Sequence, residues 1–228
     1  VSPAVVLWRH GRTAYNLAGR LQGQVDIPLD EVGLRQADEA AEMLHLRHRP
    51  VRIVSSDLGR AEATAQALAR RVGVPVQVDA RLRERSFGEW EGLSAEEIRG
   101  RWPDEYAVWR AGHDPQRVGA ETRAEVAQRV AAAVGEHAED VQDGQTLAVV
   151  AHGAAITLGL TSLLGLDPVT WRGLVGLHNA HWSVLRRSAA GEPAWRLEEH
   201  NAGPAVSVAE WNDPGAALPS TTADALRR

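Results

Sequence analysis

The sequence predicts an α/β sandwich of three layers, with a mainly parallel sheet flanked by helices and a small helical cap. Three observations carry this. Short apolar runs recur and stop at turn residues, and segments of helical periodicity long enough to cover a sheet separate them. One stretch, about 84–120, breaks the alternation.

Taken in order, Ala4 to His10 is a short apolar run halted by Gly11, which reads as a buried strand ending in a turn. Gly33 to His48 has helical periodicity. Val51 to Ser55 reads as a second strand and Leu58 to Arg71 as its helix. Beyond the interruption, a helix over Glu121 to Glu139 precedes a strand over Gln145 to Ala151 and a helix over Ala154 to Gly165. Trp182 to Arg187 and Ala194 to Glu199 read as strands joined by a hairpin loop around Ala190-Gly191, an antiparallel addition to the sheet. Within about 84–120, short helices and a loop marked by Gly112, Pro115 and Gly119 suggest a cap inserted into a single domain over 1–200. Gly203, Pro204, Pro214, Gly215 and Pro219 make 201–228 a tail expected to pack poorly.

Composition narrows the function. With 228 residues, 44% apolar, the chain can build one sizeable core. A net charge of −5 without runs of like charge leaves no basic footprint for nucleic acid or a membrane surface, so a small soluble metabolite is the expected partner. No apolar stretch approaches the roughly 20 residues that span a bilayer, and the first residues lack a charged, then apolar, leader; a cytoplasmic enzyme is expected. Oligomeric state is not encoded legibly, and a homodimer stays open. Cysteine is absent, which removes disulfides, thiolate nucleophiles and sulfur-ligated zinc. Lysine is absent too, so arginine must supply every fixed cation that holds an anion.

His10-Gly11 and His152-Gly153 each follow a predicted strand, and Arg60 falls in the first turn of the helix after Ser55-Ser56. In an open parallel sheet, ligands bind beyond the carboxyl ends of the strands, so these groups can converge. Free backbone N–H groups at the start of the Ala154 helix favour an anion, and Gly153 would permit close approach. Arg9, Arg60 and His152 then complete a pocket suited to a phosphoryl group, each charge-assisted contact contributing about 1.5–3 kcal/mol. His10 would attack as neutral imidazole, kept so by the neighbouring arginines. The alkoxide leaving group needs a proton, for which a carboxylic acid suits; Glu84 is the candidate. No metal and no cofactor is expected.

The string Arg9-His10-Gly11-Arg12-Thr13-Ala14-Tyr15-Asn16 resembles the histidine phosphatase, or phosphoglycerate mutase-like, superfamily. So do Ser55-Ser56-Asp57-Leu58-Gly59-Arg60-Ala61, Leu82 to Gly92 and Ala151-His152-Gly153, in that family's order. Four blocks in order are a specific signal, where one Arg-His-Gly would be weak. The resemblance implies a phosphoglycerate mutase-like fold, a phosphohistidine on His10 and Glu84 as proton donor and then base. It further implies that Arg9, Arg60 and His152 hold the phosphoryl oxygens, with Asn16, Gln22 and Gly23 lining the substrate site beside Gly153. Phe87-Gly88-Glu89-Trp90-Glu91-Gly92 is similar to the phosphatase branch, and the lack of lysine removes part of the mutase pattern. Within that branch, Arg20 to Gln24, Asn179 to Trp182 and Trp195-Arg196-Leu197 resemble glucosyl-3-phosphoglycerate phosphatases. A bisphosphate-dependent mutase and a non-catalytic phospholigand-binding module are the rivals.

Blander roles compete for several of these residues. Glu89 and Glu91 lie close to Glu84, and a loop carboxylate is usually just solvated. Asn16, Gln22 and Gly23 suit ordinary turns. Trp102, Tyr106 and Trp109 recur at helical spacing, for which packing of the cap onto the core is favoured over lining a cleft. His45 and His48, like His178 and His181, have metal-compatible spacing without further ligands nearby.

Overall fold

The computed structural model describes residues 2–189 and 191–215. Its sheet has six strands: β1 (Ala4–Arg9), β2 (Arg52–Ser55), β3 (Val76–Val78), β4 (Thr146–Ala151), β5 (Trp182–Arg187) and β6 (Trp195–Ala202), in the order β3-β2-β4-β1-β5-β6. The first four run parallel, while β5 is antiparallel to β1 and β6 to β5. The helices are α1 (Ala14–Leu17), α2 (Glu31–His48), α3 (Gly59–Val72), α4 (Ala95–Arg101), α5 (Pro103–Arg110), α6 (Arg123–Glu139), α7 (Gly153–Leu163) and α8 (Val208–Asn212). The layered α/β class and its antiparallel addition are as the sequence predicts.

Side-chain alternation along the central strands builds two cores. Ala4, Val6 and Trp8 of β1, with Ala148 and Val150 of β4, face α2 and α3; Val5 and Leu7, with Leu147, Val149 and Ala151, face α6 and α7. Trp8 is fully buried, and its indole N–H donates to the Ala180 carbonyl at 3.0 Å, so a large aromatic fits at the end of β1 without an orphaned donor. A third cluster of Phe87, Trp90, Ile98 and Val118 forms between residues 87 and 118, and Trp102, Tyr106 and Trp109 pack against it rather than onto the two cores of the sheet, with Trp109 also lining a cavity.

Helix starts follow local chemistry. Asp30 caps α2 by accepting from the Gly33 N–H, and Ser94 with Glu97 and Thr122 with Glu125 form capping boxes on α4 and α6. Leu58, the residue before α3, has no side chain able to cap it; instead Gly59 N–H donates to Asp26 at 2.9 Å.

Two features depart from expectation. β3 is a three-residue edge strand whose side chains are largely exposed, so it carries no apolar run to read. The segment after Asn201 does pack: β6 extends to Ala202, and α8 buries Trp211 at 1% exposure. Gln36 and Arg35 bind the Trp211 carbonyl, and Arg12 binds that of Asn212. Gly203, Pro204, Pro214 and Gly215 flank a short docked helix. Residues 216–228, the rest of that segment, and Ala190 of the hairpin loop lie outside the described residues. No helix among the described residues is long and apolar enough to cross a membrane.

Candidate active site

Register brings the two His-Gly turns together. Arg9 pairs with Ala151 across the parallel strands β1 and β4, so His10 and His152 leave the sheet side by side, ring centroids 5.1 Å apart. Gly11 is sterically required: a Cβ there would lie 2.3 Å from the Gly33 carbonyl oxygen, and one on Gly33 would lie 2.0 Å from that of Arg12. The two glycines let the loop after β1 lie directly on the first turn of α2. Thr64 of α3 accepts from the Gly11 N–H at 3.1 Å and completes the seat.

His10 Nδ1 lies 2.7 Å from the Gly11 carbonyl. A carbonyl can only accept, so Nδ1 carries the proton and Nε2 keeps its lone pair. Burial holds the His10 pKa well below the usual histidine value, and the charges of Arg60 and Arg9 lower it further. The ring is therefore neutral and correctly tautomeric for attack through Nε2.

Three buried nitrogens at this point have no hydrogen-bond partner: Arg9 Nε, Arg60 Nε and His152 Nδ1. Arg60, fully buried, uses its terminal nitrogens on the carbonyls of Val25 at 2.7 Å and Gly23 at 2.8 Å, which fixes the guanidinium and orients the loop before it. Arg9 is anchored on the Leu177 carbonyl. His152 Nε2 meets the Ser56 hydroxyl at 2.9 Å; a hydroxyl donating there leaves the imidazole proton on Nδ1. Burial, then His10, Arg60 and Arg9, depress the His152 pKa well below its usual value.

Glu84 joins the cluster in an unexpected way. Its carboxylate accepts from the N–H groups of Ala154 at 3.1 Å and Ala155 at 2.9 Å, and from Arg85 N–H at 2.8 Å. The donors expected to be free for a phosphoryl group at the start of α7 are thus held by Glu84, which supplies the negative charge that a helix N-terminus favours. Burial draws the pKa values of Arg9 and Arg60 down, and the Glu84 charge is the leading opposing influence on both. Gly153 is less constrained than expected, since a Cβ there would meet the Arg9 guanidinium at an ordinary 3.5 Å.

A cavity of about 170 Å³ opens here, lined by Arg9, His10, Asn16, Gln22, Gly23, Arg60 and Glu84, with His152 packed against His10 behind it. Asn16 Oδ1 accepts from Asn179 at 3.1 Å, and Gln22 Oε1 accepts from the Thr13 hydroxyl at 2.9 Å. Gly23 has φ +52, and a Cβ there would lie 2.2 Å from Glu91. Glu91 itself accepts from Gln24 N–H, Phe87 N–H and the Ser86 hydroxyl, so it staples two loops together, while Glu89 is exposed. That leaves Glu84 as the cavity's carboxylate. Among the described residues no group of three or more His, Asp or Glu side chains is placed to hold a metal ion.

Sequence reasoning gave no role to Asn179 and Ser56. Asn179 Nδ2 reaches the carbonyls of His10 at 3.2 Å and Gly11 at 3.3 Å, and its own carbonyl accepts from Trp211 Nε1 at 2.8 Å. Those contacts join positions far apart in the chain, for which the sequence has no local signal. Ser56, at the end of a predicted strand beside an expected pocket, was within reach of such reasoning.

Residues 5–202 match the family model described as histidine phosphatase superfamily (branch 1). A glucosyl-3-phosphoglycerate phosphatase of Mycolicibacterium vanbaalenii is 39% identical over 217 residues, covering 89% of this chain and 96% of its own. A probable phosphoglycerate mutase of Yersinia pestis is 37% identical over 168 residues, covering 71% of this chain and 75% of its own. The solved structure of a mycobacterial glucosyl-3-phosphoglycerate phosphatase in complex with VO3 matches with a TM-score of 0.80 at 40% identity, covering 88% of this chain and 99% of that one. With a matching model over most of its length, the chain belongs to the histidine phosphatase superfamily.

Proposed function

We propose that the protein, a phosphoric monoester hydrolase, cleaves a small phosphomonoester in two steps through a phosphohistidine on His10 Nε2. The observation that carries this is the ring of unpartnered donors, Arg9 Nε, Arg60 Nε and His152 Nδ1, around a neutral histidine whose Nε2 is free. Such donors, held rigidly by their other contacts, stabilise charge that builds on phosphoryl oxygens during transfer.

In the first step Nε2 forms a bond to phosphorus as the ester oxygen leaves, and the proton brought in on the phosphomonoester monoanion is passed through Glu84 to that oxygen. In the second, water attacks the phosphohistidine, Glu84 takes the water's proton and inorganic phosphate departs. Arg9, Arg60 and His152 carry the phosphoryl charge in both steps; Asn16, Gln22 and Gly23 face the remainder of the substrate. No metal enters this sequence.

The names of the phosphatase relatives support a phosphorylated sugar or glycerate derivative, with glucosyl-3-phosphoglycerate the first compound to try. A metabolite of that kind fits a cytoplasmic setting. The test is phosphate release over a panel of phosphorylated metabolites with chelator present. Release by the wild type and its loss in His10→Ala are expected; wild-type turnover by His10→Ala would sink the reading. The mutase-named relative favours a second reading, which would show as bisphosphate-stimulated isomerisation of phosphoglycerate without phosphate release.

A further inference from the structure

Beside the phosphoryl cavity lies a second one of about 300 Å³, and Phe87 and Ala154 line both. The two cavities therefore adjoin at Phe87 and Ala154. The cap contributes Arg85 and Trp109, the start of α6 contributes Arg123, and the loop after α7 contributes Trp171 and Arg172.

The charges on this wall do not balance. Asp114 pairs with Arg85 at 2.8 Å and lies 3.8 Å from Arg123. Arg172 forms no ion pair among the described residues; its Nη2 donates to the carbonyls of Gly112 and Val169, which orient the guanidinium and leave its charge uncompensated. Arg123 is likewise anchored on the Gly112 carbonyl. The three guanidinium groups have Asp114 as their one ion-pair partner within 4 Å among the described residues, with Glu84 and Glu121 acting on Arg85 from further off, and Arg85 is 3% exposed. Burial lowers the pKa of Arg123, and repulsion from Arg172 and Arg85 lowers it further, as expected for cations crowded together. Surplus positive charge in a concave, aromatic-walled site favours an anion, and a carboxylate is a small group able to meet a guanidinium fork with two oxygens. The Arg85–Asp114 contact already shows that carboxylate chemistry on this wall.

We propose that this cavity is a leaving-group subsite, in which Arg123 and Arg172 take a carboxylate carried by the same substrate molecule whose phosphoryl group sits at His10. Trp109 and Trp171 frame the carbon skeleton between the two charged ends. The proposal rests on the phosphatase reading above and adds a preference to it: among phosphomonoesters of equal length, those with a remote carboxylate are hydrolysed faster.

The test uses matched pairs that differ only in a carboxylate or an alcohol at the far end, 3-phosphoglycerate against glycerol 3-phosphate and 6-phosphogluconate against sorbitol 6-phosphate. In the wild type, kcat/KM for the acid should exceed that for the alcohol by about tenfold or more in at least one pair. In Arg123→Gln/Arg172→Gln that ratio should fall towards one. If the double variant does not fold, Arg172→Gln alone is read the same way. No preference in either pair, or a preference that survives the substitutions, overturns the proposal. Turnover of p-nitrophenyl phosphate by the wild type, and its loss in His10→Ala, separates failure of this subsite from failure of the phosphatase reading.

Discussion

His10 and His152 face each other from the ends of adjacent parallel strands, ring centroids 5.1 Å apart, yet each ring is held by a different group. The Gly11 carbonyl takes the proton side of His10 and exposes a lone pair; the Ser56 hydroxyl occupies one nitrogen of His152 and leaves the other as a donor. The pairing assigns one histidine to attack and the other to hold charge.

That difference predicts unequal losses. His10→Ala should lower kcat by at least about 10³-fold and abolish labelling by a phosphorylated substrate. His152→Ala should lower kcat by about 10²–10³-fold while labelling persists, because only charge stabilisation is removed. Single-turnover phosphate release with quenched labelling checks both; labelling of His10→Ala would contradict the assignment.

Glu84→Gln removes proton transfer at the cost of one anchor: its single amide oxygen can keep the contact with Ala155 N–H, while Ala154 N–H, which meets the other carboxylate oxygen, loses its acceptor in reactions of every substrate alike. The loss in kcat should be large for alkyl phosphates and at least about tenfold smaller for p-nitrophenyl phosphate, whose leaving group needs no proton. Equal losses for both substrate types would remove Glu84 from that role.

The pH profile follows from the depressed His10 pKa. A base whose pKa is lowered stays neutral as pH falls through the usual histidine value of about 6.5, so kcat/KM should not drop there on account of His10. Any acid limb belonging to His10 should lie well below that point. A half-maximal rate near pH 6.5 that His10 titration, followed by NMR, reproduces would be the contrary result.

Stability carries the same sign. Below about pH 6.5 the unfolded chain takes up protons on His10 and His152 that the folded state refuses, so each histidine should remove up to about 1.4 kcal/mol of stability per pH unit. Urea unfolding at pH 7.5 and pH 5.5 measures the slope. It should be shallower in a His10→Ala/His152→Ala variant, and an unchanged slope would assign the effect elsewhere.

Trp211 tests whether the short C-terminal helix supports the catalytic loop. Trp211→Ala should cost about 3–5 kcal/mol as a buried aromatic is removed. Trp211→Phe keeps much of the packing but loses the N–H donated to Asn179, and should cost about 1–2 kcal/mol and lower kcat. Thermal melts and phosphate release on the two variants decide this; full activity in Trp211→Phe would mean that the contact to Asn179 is not used to position His10.

Much of this protein is legible in its chain because the relevant physics is local. Alternating apolar residues in β1 and β4 announce strands covered on both faces, and glycine after each histidine announces a turn at a strand end. The identity and order of Arg9, His10, Arg60, Glu84 and His152 carry the chemistry. The three-residue β3 was hidden for the converse reason, since an exposed edge strand has no periodic apolar run. Tertiary structure alone decided that Glu84 occupies the N-terminus of α7, that Asn179 and Trp211 brace the loop after β1, and that arginines from the cap, α6 and the loop after α7 share one wall. Each of these relations joins residues from separate elements of the fold. A sequence displays the charge and shape of such residues, but their mutual distance exists only once the sheet register and the packing of the cap have set it.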